Sequence, residues 1–467
     1  MRRDGPRDVG GRRRLRTRFA VSALLLVLAG FAAGYLVHRG GLTPSRVARR
    51  MTGGGPAPNA FRAPDARGRW HRPSADPSDL SDSERAELTR LLTVGYLDGS
   101  VPAPDATGVT VHEVSRTWDG LNLVVSGHEP AAFLMTMDGE IVHSWSCSFH
   151  DVWPESRVPD ERLDTQFWRR AHLCPNGDLL ALFDWLGLVR LDASSSVLWS
   201  YDGGSHHDID VADDGRILVL DQEARLIPRL GRERPVLEEF VSVLTPDGEP
   251  IRRVSILEAI ERSDYAPLLE RLPEGHDILH TNTIELLDGR LAGELPAFEA
   301  GNVLISIRSL DAVAVVDLER GEVVWVMTGM WNAQHQPTVL GNGNLLIFDN
   351  LAGDRRSRVL EFDPLTREVV WRYPEPGEGL LWSETCGSNQ RLPNGNTLIT
   401  ESDNGRAIEV TVEGEIVWEY VNPHRAGPEN ELIATLLEVV RIPSDGVSPR
   451  LVADGSERRA KTPDTEH

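Results

Sequence analysis

Short strands separated by hairpin turns recur along the chain, and this repeat limits the possible folds more strongly than any other feature. Each unit is about 40 to 55 residues long, and its turn dipeptide is of the kind that joins two β-strands. Most turns lead from one apolar run directly into another. A chain built in this way is expected to be all-β. The six turn dipeptides are Asn176-Gly177, Asp214-Gly215, Asp288-Gly289, Asn342-Gly343, Asn394-Gly395 and Asp445-Gly446.

A tryptophan marks the far end of most units. Trp145 fits this pattern two residues late, which keeps it on the same strand face, and Arg252 stands where a further tryptophan is expected. We predict that these side chains pack between neighbouring sheets and do not bind a cofactor. The four regular positions are Trp199, Trp325, Trp371 and Trp418.

Four strands per unit of this length are typical of a propeller blade. The sequence therefore predicts an all-β fold, a six-bladed β-propeller over residues 119–455 that is closed by its termini. The C-terminal run "LLEVVRIPSDG" supplies the first strand of the blade whose other strands begin near residue 121, so no sheet edge stays free. Two blades are longer, because residues 253–275 insert a helix and residues 222–238 a loop.

The N-terminus has the composition of a membrane anchor. Residues 19–37 are uncharged and largely apolar, about the length that spans a bilayer as one helix. Eight arginines precede this run and four follow it by residue 50, which favours an N-terminus in the cytoplasm. We predict a basic cytoplasmic tail at 1–18, a transmembrane signal anchor at 19–37, and a single-pass protein of the cell inner membrane with its main domain on the periplasmic side. A cleavable signal peptide is the alternative.

The segments on either side of the propeller are predicted to contain little structure. Residues 38–118 are expected to form a linker, much of it rich in Pro, Gly, Arg and Asp. Within the linker, the capping box Ser81-Asp82-Ser83-Glu84 predicts a short helix at 82–94. Residues 456–467 are expected to be a disordered tail.

Charge and composition exclude several classes of function. Residues 1–50 carry twelve Arg and two Asp, net +10, so the rest of a chain of net charge −22 carries −32. Such an acidic body argues against nucleic acid as a partner. Lys461 is the only lysine, which excludes a phosphate-binding loop lysine and a Schiff-base cofactor in the core. Cys147, Cys174 and Cys386 form no disulfide scaffold and no zinc-type spacing, although Cys147 and Cys174 could pair.

Three histidines occupy one position of the repeat. In a propeller the innermost strand of each blade lines the central channel, so equivalent strand starts face one another. Counting back eight or nine residues from the turn glycine gives His207, His280 and His335. Any one of them could be a hydrogen-bonded histidine of a strand or core, but three at one channel position indicate a site that binds or transforms a ligand. The other blades hold Arg169, Gly387 and Glu438 there.

Further polar residues are expected at the same rim. Arg308 ends the strand "NVLISIR", which returns to that rim, and Asn282 projects from the same strand face as the histidine two residues before it. We predict that Asn282, Thr281 and His206 bind the substrate. The acidic residues at 208–214 lack the spacing of a calcium loop and indicate a strand edge and a turn.

At these residues the chain resembles a known family, the bacterial arylsulfotransferases that are independent of phosphoadenosine phosphosulfate. The resemblance covers about residues 120 to 425 and is carried by "HHDIDVADDGRILVLD", "DILHTNTIELLDG", "NVLISIRSLDAVAVVD" and "QHQPTVLGNGNLLIFDN". It implies a six-bladed propeller outside the cytoplasm that moves a sulfuryl group from an aryl sulfate donor to a phenolic acceptor. No metal and no diffusible cofactor are implied.

The resemblance also implies a role for each candidate residue. His335 matches the nucleophile, His207 and His280 the supporting histidines, Arg308 the sulfate-binding arginine, and Asn282 the asparagine near the second histidine. Neutral imidazole can attack the sulfur of an aryl sulfate to form a sulfohistidine, with ping-pong kinetics. A guanidinium can bind the charge of the transferring SO3 group, and a neighbouring histidine can exchange the phenol proton. Clustered imidazoles also lower each other's pKa, which helps to keep His335 neutral.

Two alternatives remain open at this point. A propeller can serve as a non-catalytic, membrane-tethered module for binding or sensing. Three histidines could also hold zinc or copper in a metalloenzyme. A quinoprotein is less compatible, because the chain has six repeat units and not eight.

Overall fold

Six antiparallel blades, five of four strands and one of five, follow one another in the computed structural model of this chain, as the repeat predicts. The structure describes residues 69–71, 103–160, 162–231, 234–353, 355–377, 379–427, 429–449 and 451. The predicted tail at 1–18, transmembrane segment at 19–37, helix at 82–94 and C-terminal tail at 456–467 lie outside these residues. Among the helices that are described, none has the length and apolar character needed to cross a membrane.

Each blade is ordered from the central channel outward, and its strands are numbered along the chain. Blade 1 contains β28 (Leu436–Ile442), β3 (Leu121–Ser126), β4 (Ala131–Met135) and β5 (Ile141–Ser146). Blade 2 contains β6 (Arg170–Leu173), β7 (Leu179–Phe183), β8 (Gly187–Leu191) and β9 (Val197–Tyr201). Blade 3 contains β10 (Ser205–Val211), β11 (Ile217–Arg225), β12 (Val236–Leu244) and β13 (Pro250–Ser255).

The second half of the ring has the same order. Blade 4 contains β14 (Thr281–Leu286), β15 (Val303–Ile307), β16 (Ala312–Asp317) and β17 (Glu322–Thr328). Blade 5 contains β18 (His335–Val339), β19 (Leu345–Gly353), β20 (Arg356–Phe362) and β21 (Val369–Tyr373). Blade 6 contains β22 (Ser388–Arg391), β23 (Thr397–Glu401), β24 (Arg406–Val410) and β25 (Ile416–Val421).

The ring closes through its C-terminal strand, which confirms the predicted closure. β28 lies innermost in blade 1 and pairs with β3, with Val439 opposite Val124. The middle strands are continuous apolar runs because both of their faces are covered by neighbouring blades; all five residues of β15 are buried. Five of the six turn dipeptides join the first two strands of a blade, with positive φ at their glycines, whereas Gly446 ends a 3-10 turn after β28.

Two strands near the N-terminus fall within the span that the sequence assigns to the linker. β2 (Gly108–His112) pairs with β25 and gives blade 6 a fifth, outermost strand. β1 (Trp70–His71) pairs with β27 (Leu432–Ala434), which also pairs with β26 (Arg425–Ala426). In the chain, β26 and β27 lie between the last strand of blade 6 and β28, and β1 joins them from the N-terminal side of the sequence. The linker composition gave no sign of either strand.

The tryptophans of the outer strands connect neighbouring blades, as predicted. The Trp371 indole donates a hydrogen bond of 2.9 Å to the carbonyl of Val412 in blade 6, and Trp418 donates one of 2.9 Å to Met137 in blade 1. Arg252, which replaces a tryptophan, donates a bond of 2.8 Å to the carbonyl of Leu318 in blade 4. The arginine thus keeps the bond between blades that the indole makes elsewhere.

The described helices are short. The predicted insertion helix is α2 (Ile256–Glu261), whose N-cap Ser255 accepts a bond from the amide of Glu258; α1 (Phe149–Val152) precedes it in the chain. The prediction of a loop at 222–238 is partly wrong, because Gln222 to Arg225 pair with Val236 to Glu239 and extend the hairpin of blade 3. The 3-10 turns are Leu163–Thr165, Pro228–Leu230, Ala266–Arg271, Pro296–Phe298, Arg308–Leu310, Ser402–Asn404 and Ser444–Gly446.

The three cysteines are buried free thiols. The disulfide that the sequence left open between Cys147 and Cys174 is therefore not formed.

Candidate active site

The predicted histidines meet at one end of the central channel, which we call the mouth and define by His206, His207, His280, Arg308 and His335. The rings of His207 and His280 lie 4.8 Å apart between centroids, and those of His206 and His207 lie 5.1 Å apart. The backbone amide of Arg308 donates to the carbonyl of His280 at 3.2 Å, so this arginine starts from the same rim. These contacts agree with the repeat register, and the roles of the residues stay predictions.

The backbone at the mouth is unusual. β10 is bulged between His206 and Ile209, and His207 has φ of 58°; His280, directly before β14, has φ of 51°. Positive φ is uncommon for residues other than glycine and costs about 1–3 kcal/mol, and it is concentrated at functional sites. The hairpins behind both histidines hold them in these conformations.

His335 is held so that one ring nitrogen is available for chemistry. Its Nδ1 lies 2.7 Å from Oδ1 of Asn350, while the Asn350 amide nitrogen donates to the carbonyls of Ser383 at 2.9 Å and Cys386 at 2.7 Å. With both amide hydrogens used in this way, the Asn350 oxygen faces His335 and accepts its Nδ1–H. The neutral ring then carries its lone pair on Nε2. The sequence reasoning did not identify Asn350.

The environment keeps His335 uncharged. The residue is only 4 % exposed. Burial first, and then the positive charges of Arg308 and Arg169, lower the pKa of His335 well below its ordinary value. At neutral pH the ring is a free base. The electrostatic prediction from the sequence is confirmed, although burial and arginines contribute more than the neighbouring imidazoles.

His206 and His207 form a neutral pair. Their Nδ1 atoms are 2.8 Å apart, so one ring donates and the other accepts. Burial, followed by the charge of His280, lowers the pKa of His206 to about 3 and that of His207 well below its usual range. The backbone amide of His207 donates to Oδ1 of Asp184 at 3.1 Å, which anchors the pair to blade 2.

A tryptophan that the sequence reasoning missed supports this pair. Trp185 stacks on His206 at 5.1 Å and 9°, and its ring meets those of His207 and His280 at steep angles. It lies in the turn between β7 and β8, which opens to the mouth. The signal that could have found it is position, because Arg308 occupies the turn between the same two strands of blade 4.

His280 differs from the other histidines in having a carboxylate partner. Its Nδ1 is hydrogen-bonded to Oδ2 of Asp277, and its side chain is 22 % exposed. Behind it, Glu239 accepts the backbone amide of Thr281 at 2.8 Å, and burial together with the charge of Asp277 raises the pKa of Glu239 to about 8. Asp277 orients the His280 ring and stabilises the charge it gains on taking up a proton. His280 is therefore the histidine best arranged for proton transfer.

The remaining predicted residues are placed behind the histidines. The Asn282 side-chain amide donates to the carbonyl of Gln334 at 2.9 Å and so holds the segment that leads into His335. Thr281 is fully buried and its backbone bonds to Glu239. Substrate contact by Asn282 and Thr281 stays a prediction; the geometry shows that Asn282 also supports the nucleophile segment.

Two arginines add positive charge to the mouth without having been assigned to the site. Arg169 holds the repeat position of the histidines in blade 2 and is 3 % exposed. Arg69, directly before β1, donates to the Thr385 hydroxyl at 2.9 Å and to Sγ of Cys386 at 3.4 Å. Only the repeat register pointed to Arg169. The sequence held no signal for Arg69, which reaches this rim through the pairing of β1 with β27.

A group of paired charges lies in the channel next to the mouth, and we call it the channel layer: Arg170, Asp208, Gln336 and Glu438. Arg170 binds Glu438, contacts Asp208 at 2.8 Å and donates to Oε1 of Gln336 at 2.6 Å. Asp208 also accepts the amide of Ile284 at 3.0 Å in blade 4. The acidic residues at 208–214 thus serve a strand edge, as predicted. No set of three or more His, Cys, Asp or Glu that could hold a metal ion occurs in the described part of the chain.

The fold is therefore a six-bladed β-propeller with a channel mouth rich in histidine and arginine. A family model described as Arylsulfotransferase (ASST) matches residues 174–423, which is more than half of the sequence. The chain belongs to this arylsulfotransferase family, as the resemblance of its motifs indicated.

Other comparisons are less informative. No curated protein matches the sequence. Solved structures similar to it include a protein of unknown function from Bacteroides caccae, with 13 % identity over 68 % of this chain and 99 % of that one and a TM-score of 0.45. A streptogramin B lyase has 13 % identity over 73 % and 95 % of the two chains and a TM-score of 0.40. A catalytically inactive virginiamycin B lyase from Staphylococcus aureus with quinupristin has 11 % identity over 72 % and 99 %, and a TM-score of 0.40.

Proposed function

We propose that this protein is an aryl-sulfate sulfotransferase that moves a sulfuryl group from a phenolic sulfate ester to a phenolic acceptor through a sulfohistidine at His335. The observation that carries the proposal is the state of this ring. It is buried and uncharged, and Asn350 fixes its Nδ1–H, so that the lone pair is on Nε2. This is the form of imidazole required of a nucleophile.

In the first half-reaction, Nε2 of His335 attacks the sulfur of the donor. The N–S bond forms as the bond between sulfur and the phenolic oxygen breaks, and the departing phenolate takes a proton from His280. Arg308 binds the oxygens of the SO3 group in the transition state of the transfer, because a guanidinium offers paired N–H donors to such an anion. His207 borders the same space.

The second half-reaction reverses these steps with a new phenol. His280 accepts the proton of the incoming hydroxyl group while its oxygen attacks sulfur, and the N–S bond breaks to restore neutral His335. Asp277 stabilises His280 while it carries the proton. The two substrates bind in turn, so ping-pong kinetics follow. We further propose that the propeller works on the periplasmic side of the inner membrane, tethered by residues 19–37, whose composition is that of a signal anchor.

The test uses the purified full chain with 4-nitrophenyl sulfate as donor and phenol as acceptor. We expect one nitrophenol per chain to be released by donor alone, with one sulfuryl group added to the intact mass and located at His335. His335→Ala should abolish both signals. The control is His276→Ala, an exposed histidine that precedes blade 4. Equal nitrophenol release by wild type and His335→Ala would disprove the assignment.

A further inference from the structure

Arg169 and Arg170 are adjacent in sequence, but their guanidinium groups differ in the hydrogen bonds and ion pairs that they form. Arg170 uses its guanidinium on Glu438, Asp208 and Gln336. For Arg169, no ion pair and no side-chain hydrogen bond occurs with any residue in the described ranges, although it is 3 % exposed. Burial raises the pKa values of the carboxyls of Asp184, Asp208 and Glu438. The charge of Arg169 opposes this rise, yet none of these carboxylates forms an ion pair with it. A buried guanidinium whose N–H donors have no acceptor is costly, and such groups normally meet an anion.

The position of Arg169 directs it to the mouth. Its backbone amide donates to the carbonyl of Leu182 at 2.8 Å, which places it at the start of β6 beside the turn that holds Asp184 and Trp185. It occupies the repeat position that His207 and His335 occupy in their blades. Its side chain makes none of the hydrogen bonds or ion pairs of the channel layer, although its charge opposes the rise that burial causes in the pKa values of Asp208 and Glu438 there.

The charge of Arg169 also acts on residues from the other side of the channel. It lowers the pKa values of His206 and His207 in blade 3 and of His335 in blade 5. Arg308, in blade 4, acts on the same His335. The neutral Nε2 of His335 therefore lies within reach of two positive charges that come from different blades.

We propose that Arg169 is a second anion-binding residue of the mouth, which holds the non-bridging sulfate oxygens of an aryl sulfate from the side opposite Arg308. This proposal rests on the proposed function and specifies how its site binds the donor. Two guanidiniums on a group that bears a single negative charge leave positive charge in excess. That excess stabilises the transition state, in which negative charge grows on the phenolic oxygen while the SO3 group is shared.

The proposal also predicts an effect on thermal stability that distinguishes Arg169 from an arginine with a structural role. Removing a buried guanidinium that forms no ion pair and no side-chain hydrogen bond should weaken the fold much less than removing Arg170. We therefore expect Arg169→Gln to keep or raise the thermal midpoint of the full chain without ligand. A fall in the midpoint as large as that of Arg170→Met would show a structural role and overturn the proposal.

Donor binding is measured without turnover. In a His335→Ala background, 4-nitrophenyl sulfate is titrated calorimetrically at constant ionic strength, with inorganic sulfate as a second probe. Arg169→Gln should weaken binding of the ester roughly 10- to 100-fold, because a charge-assisted hydrogen bond is lost. Arg169→Lys keeps the charge but not the fork of donors, and should recover part of the affinity.

A matched control separates local binding from net charge. Arg216→Gln removes an arginine from an exposed pair with Asp214 at the opposite rim, and should leave ester affinity unchanged. Unchanged affinity in Arg169→Gln would refute the proposal even if the wild type transfers sulfuryl groups. If the wild type shows no transfer but loses ester binding on Arg169→Gln, the proposed function fails and the anion site stands.

Discussion

The mouth and the channel layer lie next to each other in the propeller but differ in whether their buried charged groups are paired within the protein. In the channel layer, Arg170 is enclosed by Asp208, Glu438 and Gln336, so each charge meets a partner within the fold. In the mouth, Arg169 lacks such a partner among the described residues, and burial keeps His207 and His335 neutral. Charges in the channel layer hold blades together, whereas we propose that those in the mouth bind an external anion.

The difference predicts that substitutions in the mouth reduce activity and those in the channel layer reduce stability. The largest effect on one half-reaction is expected for Asp277→Asn, which removes the charge that stabilises protonated His280. Transfer to phenol should slow on the order of 10²- to 10⁴-fold, because the proton acceptor is impaired. Release of 4-nitrophenol should change little, since this leaving group needs little help from an acid. Single-turnover mixing separates the two steps.

Asp264→Asn is the matched control, because Asp264 is an exposed carboxylate of the insertion at residues 253–275, which precedes Asp277 in the chain. It should leave both half-reactions at wild-type rates. If Asp277→Asn slows both steps equally, or neither, His280 is not the group that exchanges the proton.

A stability loss is expected for Arg170→Met in the channel layer. It leaves Asp208 and Glu438 buried without their partner, which costs about 3–5 kcal/mol of unfolding free energy. Urea unfolding at neutral pH measures it. Arg216→Met removes an exposed ion pair and should cost about 0–1 kcal/mol. A loss for Arg170→Met no larger than that of the control would remove the distinction between the two regions.

The pH profile of the donor half-reaction tests the neutral state of the mouth. The pKa of His335 is lowered, so the ring stays unprotonated as the solution is acidified. The rate should therefore be flat from about pH 7.5 to about pH 5.5, where an ordinary imidazole would lose about tenfold. Asn350→Asp places a carboxylate against Nδ1 and raises the pKa of His335, so its rate should fall as the pH drops through the raised value.

Protonation of the buried histidines of the mouth also makes the stability of the fold fall at low pH. The folded pKa values of His206, His207 and His335 lie below the unfolded ones, so their contribution to stability is complete above about pH 6.5 and is lost as the pH falls. Rates must therefore be compared at pH values where circular dichroism shows a folded chain. A wild-type rate that falls tenfold while the fold persists would contradict a neutral, buried His335.

The smallest expected effect lies at the outer strands. Trp371→Phe keeps the ring packing but removes the hydrogen bond to Val412, and should lower the unfolding free energy by about 1 kcal/mol. Val370→Ala on the same strand, an exposed position, should stay within about 0.5 kcal/mol of wild type. A loss for Trp371→Phe as small as that of Val370→Ala would mean that the bond between blades adds nothing.

Much of this organisation could be predicted from the sequence because a repeat turns sequence distance into spatial position. Counting from turn glycines placed His207, His280 and His335 together, and the strand pattern gave six blades and their closure. Counting residues could not identify the side chains that form hydrogen bonds with these histidines. Asn350 contacts His335 from the neighbouring strand β19, and Asp277 contacts His280 from three residues before it, but nothing periodic marks either residue.

Other misses have different physical causes. Hydrophobic alternation is weak in the long hairpin of blade 3, so its extension from Gln222 to Arg225 resembled a polar loop. Arg69 lies in a segment of linker composition and reaches the mouth only through pairing of strands far apart in sequence. The role of Asn282 in holding the Gln334 carbonyl depends on how closely two blades approach, which a single sequence does not encode visibly.

The placement of β28 has a consequence for the order of events during synthesis. This innermost strand of blade 1 follows all the other described strands in the chain, and it carries Glu438, the partner of Arg170. Until it docks, the ring is open on one side and Arg170 lacks one of its carboxylates. A nascent chain that stops before residue 436 cannot close blade 1 or complete the ion pairs of the channel layer, so ring closure must wait until this strand has been synthesised.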